Sequence, residues 1–174
     1  MKIVLFPVLI AFACLLGGVY GALHDQISYT AAPGYFHEFK FLQFRLPPDA
    51  WTRAGASWIG VLASWWMGLI LAVPIFGAAL FVKGDSAFIR AFLTATLIVV
   101  STTLVIGLGA LAMAYMTFSP ENLPWWMDGR QVSNPVAFAR AGQMHNFSYL
   151  GGLIGTGLGV IWVIRAAWRS RRAA

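Results

Sequence analysis

Residues 56–118 read ASWIGVLASWWMGLILAVPIFGAALFV, then KGDSAFIR, then AFLTATLIVVSTTLVIGLGALAMAYMTF. The first and last blocks carry no charged residue over 27 and 28 positions. A helix crosses a hydrocarbon core of about 30 Å with about 20 apolar residues, so each block spans a membrane with length left over for tilt or projection. The link between them, bounded by Lys83 and Arg90, is too short for a domain and makes the two spans an antiparallel hairpin.

Working outward, residues 3–23 and 144–164 are equally free of Asp, Glu, Lys and Arg. The first follows Met1-Lys2 and resembles a signal peptide, but its apolar run is longer than the roughly 7–15 residues of a signal core, so it reads as a retained span. The expectation is an all-α, integral membrane four-helix bundle forming one transmembrane domain over 1–174. Its spans are 3–23, 56–82, 91–118 and 144–164, and its two long connections are 24–55 and 119–143. Composition agrees: 59% of the residues are hydrophobic and 10% charged, too few charges to cover a water-soluble globule. The lone cysteine, Cys14, excludes an intrachain disulfide and a thiolate metal cluster.

The net charge of +6 is distributed unevenly. Lys2, Lys83, Arg90, Arg165, Arg169, Arg171 and Arg172 flank one side of the spans, opposed by Asp85 alone. The other side carries Lys40, Arg45, Arg53, Arg130 and Arg140 against Asp25, Glu38, Asp49, Glu121 and Asp128, and is neutral. The positive-inside rule places both termini in the cytoplasm and the long connections outside. The basic tail is then a topology anchor beside anionic lipid, and no nucleic-acid partner is expected.

The outer connections hold the unusual chemistry. Tyr35, Phe36, Phe39, Phe41 and Phe44 fall within ten residues, more aromatic surface than a free loop exposes to water, so this segment should lie at the interface or cap the helix ends. Trp51, Trp58, Trp125 and Trp126 suggest an outer aromatic belt, and Trp162 and Trp168 an inner one. Asp128-Gly129 marks a turn, and Asn134-Pro135 starts the last helix about ten residues before its apolar stretch.

Gly17 and Gly21 in the first span, and Gly151, Gly155 and Gly159 in the last, recur at four-residue spacing. Small residues so placed let helix backbones approach closely, either within the chain or across a homodimer. Ser64, Ser101, Thr102 and Thr103 mark further packing faces, and Pro74 a site of helix bending. No ionisable residue lies near the middle of a span, which argues against a proton-coupled pump or transporter.

All three histidines are on the outer side. His24 follows the first span and His145 opens the fourth at similar depth. Around them lie Asp25, Gln26, Tyr29, Asn146, Ser148 and Tyr149. His145, Tyr149, Gly152, Thr156 and Gly159 share one helical stripe, which turns His145 toward protein. Three readings of the constellation stay open. One is a polar network of Gln26, Tyr29, Asn146 and Tyr149 with the histidines, fixing helix register. Another is a metal site on His24, Asp25 and His145, with His37 or Met144 as further candidates. The third is haem b held by two histidines. No hydrolase elbow, zinc-protease motif or phosphate loop is present, so Ser28 or Ser148 as a nucleophile has no motif behind it and no catalytic residue is assigned.

The segment His24-Asp25-Gln26-Ile27-Ser28-Tyr29-Thr30, followed by Pro33, Tyr35-Phe36, Phe39-Lys40-Phe41 and Gln43-Phe44, resembles a piece of a family of small four-span bacterial inner-membrane proteins without an assigned activity. His145-Asn146-Phe147-Ser148-Tyr149-Leu150-Gly151-Gly152 resembles a second piece. Gly34 stands where such segments often carry an acidic residue, which removes a carboxylate role there. The resemblance implies a bacterial inner-membrane location and carries over no catalytic residue. The first functional expectation is therefore a non-enzymatic assembly or accessory protein, as a homo-oligomer or a subunit of a membrane complex. The alternatives are a metal- or haem-dependent redox protein with its site at His24 and His145, and a small-solute carrier or pore along the Ser/Thr face of the third span.

Overall fold

The computed structural model describes residues 2–172. Four helices are long and apolar enough to cross a membrane. We label them α1 (Phe6–Ala31), α2 (Arg53–Ala79), α3 (Asp85–Thr117) and α4 (Pro135–Arg172). A 3₁₀ turn, Lys2–Leu5, leads into α1. The protein is a multi-pass membrane protein with an all-α bundle. We call the side of the two long connections the loop face and the opposite side the terminal face.

Local chemistry sets the boundaries. Thr52 caps α2 by accepting from the Gly55 amide at 3.1 Å, and Asn134 caps α4 by accepting from Ala137 N at 3.0 Å. Gly84, with φ 81°, makes the turn between α2 and α3 that a side chain would strain. At the terminal face Lys2 Nζ donates to the carbonyls of Leu80 and Val82, and Lys83 N donates to Ser170 Oγ at 2.9 Å. Both described ends therefore close on the short turn. With 38 residues at about 1.5 Å each, α4 is about 57 Å long and projects well beyond a 30 Å core.

The helices associate as two seamed pairs. In the α1/α2 pair, a Cβ added to Gly21 would lie 2.0 Å from the Gly60 carbonyl oxygen, and one on Gly60 would lie 2.1 Å from that of Gly21. Gly17 abuts Ser64 and Gly68 abuts Ala13 along the same line. In the α3/α4 pair, Cβ atoms on Gly151 and Gly155 would each lie 2.9 Å from the Cα of Thr103 and Val99, and Gly159 faces Ala95. The glycines expected to serve packing thus do so within the chain, which leaves those seams unavailable to a second copy. Thr96 and Thr103 bond their own helix, to Phe92 O at 3.0 Å and Val99 O at 2.7 Å.

The two pairs meet less closely than the helices within each pair. On the terminal face an apolar cluster including Ile75, Phe76, Phe88, Phe92 and Val163 seals the space between them. On the loop face the aromatic segment forms a lid. Ala32 breaks α1, Pro33 restarts a helical turn, residues 36–40 wind as a π-helix, and Arg45 ends the segment at φ 52°. Tyr35, Phe36 and Phe41 are buried beneath it with Met127 and Phe138. Two tryptophans expected in the lipid belt belong to this lid instead. Trp51 stacks on Phe41 at 5.7 Å, and Trp126 lies over Gly142, where a Cβ would meet its ring at 2.6 Å. Both are drawn inward because the lid offers them aromatic and glycine surfaces, whereas Trp58, Trp125 and Trp168 stay exposed.

The seams give a graded expectation. Gly60→Ala should lower stability by at least about 1–3 kcal/mol through overpacking, whereas Gly109→Ala, where nothing lies within 4 Å, should be neutral or stabilising. Thermal denaturation of the two variants in one detergent measures the difference; equal midpoints would refute the seam.

Candidate functional site

Helix α1 carries Tyr20, His24 and Ser28 at four-residue intervals, so they form one stripe. That stripe faces the cleft between the pairs, and across it α4 presents His145 and Ser148. His24, Asp25, Ser28, His145 and Ser148 are all buried, each at 9% exposure or less. His24 and His145 meet edge to face with ring centroids 4.5 Å apart, and Tyr35 from the lid stacks on His145 at 5.0 Å.

The bonds within the cluster are specific. His24 Nδ1 lies 3.0 Å from Asp25 Oδ1, and His145 Nε2 lies 3.7 Å from the same oxygen. His145 Nε2 is 3.2 Å from Ser28 Oγ. Ser148 Oγ donates to Met144 O at 2.9 Å, accepts from Tyr20 OH at 3.2 Å, and lies 3.1 Å from His24 Nε2. A serine hydroxyl has one proton and two lone pairs. With that proton on the Met144 carbonyl, His24 must donate from Nε2. Its Nδ1 then faces the carboxylate with a lone pair, and the contact closes only if a proton or another cation sits between them.

The donor atoms of His24, Asp25 and His145 all lie within 4.8 Å of one another. Ligands about 2.1 Å from one ion at tetrahedral or octahedral angles stand roughly 3.0–3.4 Å apart. The separations of 3.0 and 3.7 Å at Asp25 are close to that spacing. The same closeness excludes haem b between these histidines, because rings in edge contact leave no room for a porphyrin.

The other expected residues divide. Gln26 donates to Arg53 O at 2.9 Å and Ser57 Oγ at 2.6 Å, and Tyr29 OH pairs with His37 Nε2 at 3.1 Å. These belong to a separate network on the α1/α2 flank, so His37 takes no part in the cluster. Met144 is fully buried and contributes its carbonyl. Asn146 and Tyr149 line a second cavity above the cluster. Thus the single polar network expected from sequence is two networks, because α1 turns Gln26 and Tyr29 away from the stripe that bears His24.

Tyr20, Lys40 and Tyr35 complete the site without having been singled out from sequence. The four-residue run Tyr20, His24, Ser28 was the available signal for the first. For Lys40 it was the lone cation inside an aromatic run. Lys40 is buried over the rings of Phe39 and Tyr35, at 5.2 and 5.9 Å, with a hydrogen bond to Gln43 at 3.3 Å. Burial pushes its ammonium below the usual lysine range, partly opposed by the charge of Asp25. Burial likewise raises the Tyr35 phenol, reinforced by Tyr149.

No protein-family model, curated protein or solved structure matches the chain, so the residues themselves carry the functional argument.

The two long connections are clasped together by Glu38, which accepts from Ser133 N at 2.8 Å and from the Ser133 hydroxyl. These two bonds, the hydroxyl's first, hold the exposed Glu38 carboxyl below its usual range. A carboxyl depressed in the folded state strengthens the clasp above the ordinary carboxyl pKa, about 4.3, and the contribution is lost as pH falls from there through the folded value. Residues 128–134 should resist protease at neutral pH and become cleavable in acid, while Glu38→Gln should be cleaved at both. Limited proteolysis across that pH range tests this; a pH-independent pattern in the parent chain would refute it.

Proposed function

We propose that this chain is a small metal-binding membrane protein, with one divalent transition ion held by His24, Asp25 and His145. The observation that carries the reading is the convergence of two imidazole nitrogens and a carboxylate oxygen from two helices of different pairs. Two neutral histidines and one carboxylate make a nitrogen and oxygen donor set suited to zinc or iron(II), with positions left open for an exogenous ligand. Ser148 supplies the outer hydrogen bond on His24 Nε2 that orients that ring, and Tyr35 stacks on the ring of His145. His24, Asp25 and His145 also fall in the two segments on which the family resemblance rests.

The charge bias supports a topology with the loop face outward and the site on the outer side of a bacterial inner membrane. An ion there would be reached from outside through the space below the lid. The assembly reading is weaker, because the glycine seams on which it drew are occupied inside the chain. The carrier reading is weaker too, because the hydroxyls of Thr96 and Thr103 are satisfied by their own helix.

Calorimetric titration of Zn²⁺ into the detergent-solubilised full chain should give one site per chain. Ser148→Ala, which removes an orienting partner of His24, should weaken it by about 10–100-fold, and His145→Ala should weaken it further. Binding unchanged by both substitutions, or none above that of an Asp25→Asn/His145→Ala variant, would overturn the assignment.

A further inference from the structure

The cleft between the helix pairs holds a narrow cavity of about 100 Å³, lined by residues of all four helices. Its walls are apolar along most of their length, formed by residues such as Ala13, Leu16, Met67, Leu71, Val99 and Val100. It runs along α2 from Ala63 to Ile75, twelve residues or about 18 Å. One leaflet's share of a 30 Å hydrocarbon core is about 15 Å, so the cavity has the length of one lipid chain. The terminal-face cluster closes its lower end.

A second cavity adjoins it under the lid, and Lys40, His145 and Tyr149 line both. This upper space has a different character. Lys40 and Arg130 both line it, with no Asp or Glu among the lining residues, and Arg130 lies over Phe39 and Phe138 at 5.8 Å. Arg130 uses Nε on Trp126 O at 3.2 Å, and its terminal amino groups have no hydrogen-bond partner among the described residues. A basic chamber thus lies directly above a chain-length apolar slot, with Lys40, His145 and Tyr149 at their common boundary.

We propose that these two cavities form one binding site for a single-chain amphiphile with an anionic head, its carboxylate or phosphate between Lys40 and Arg130 and its chain in the cleft. Guanidinium and ammonium donors both suit such oxygens. The apolar wall offers no hydrogen-bonding requirement that a hydrocarbon chain would leave unmet. His24, Asp25 and His145 line the upper end of the same cavity, but the site stands on the cavities and the two cations and asks nothing of a metal there.

Competition for a fluorescent long-chain fatty acid bound to the full chain in detergent tests it, with three unlabelled competitors of matched chain length: a fatty acid, a lysophosphatidic acid and a neutral monoacylglycerol. At least one anionic competitor should displace the probe, and whichever is tighter identifies the carboxylate or the phosphate as the natural head. The monoacylglycerol should be at least about tenfold weaker, as should the probe on Lys40→Gln/Arg130→Gln, the loss expected for about one charge-assisted hydrogen bond. Val100→Trp should block the slot and abolish binding, while Val105→Trp on the lipid-facing side of α3 should leave it intact. Circular dichroism of each variant establishes that it is folded. Probe affinity equal for neutral and anionic chains, or unmoved by the double Gln variant or by Val100→Trp, would overturn the proposal. Chelation of metal should not alter probe binding, so a chain that binds the amphiphile but takes up no Zn²⁺ would refute the metal site alone.

Discussion

Close approach of glycine to backbone carbonyl is the constraint on which the rest of this bundle depends. In lipid, apolar side chains gain little by leaving the tails for one another, and helices associate through surface fit and backbone proximity. Here Gly21 and Gly60 each occupy the space where the other would place a side chain, and Gly151 and Gly155 let α4 lie on the backbone of α3. Such contacts are available within α1/α2 and α3/α4. Between the pairs larger side chains intervene, and the packing opens into a cleft.

That division gives the buried polar residues their setting. His24 belongs to one pair and His145 with Ser148 to the other, so their hydrogen bonds bridge the cleft near its loop end. Polar contacts inside a low-dielectric bundle are strong when complete and costly when incomplete. The cluster therefore ties the two halves together at one depth and leaves the apolar space below it unbridged. The aromatic lid covers the bridge and is itself pinned by Glu38 to the second long connection.

The four spans were legible because an unbroken apolar run of that length, in a chain this poor in charge, suits little besides a membrane crossing. The start of α4 at Asn134-Pro135 was legible because cap chemistry is local. The pairing of His24 with His145 was legible only as a possibility, since it needed the depth of each residue and the adjacency of α1 and α4. What stayed hidden was set by tertiary contact. Trp51 and Trp126 have the composition of a lipid belt and are held instead by Phe41 and Gly142. Gln26 and Tyr29 sit beside His24 in sequence, yet the helical rotation turns them to another face. The cleft left no local mark, because its walls are the same apolar residues that fill a packed core.

The π-helical turn at residues 36–40 has a consequence for how this lid is geared. A π turn closes on the fifth residue instead of the fourth, so it inserts one residue without breaking the helix. Tyr35 and Lys40, five apart, thereby come onto one side, with the ammonium 5.9 Å from the tyrosine ring. In an ordinary α-helical winding the fifth residue would be rotated by more than a quarter turn away. The extra residue works as a half-step in the gearing, bringing a lone cation under a cover of aromatic rings when the regular helical period would have delivered it to the outside.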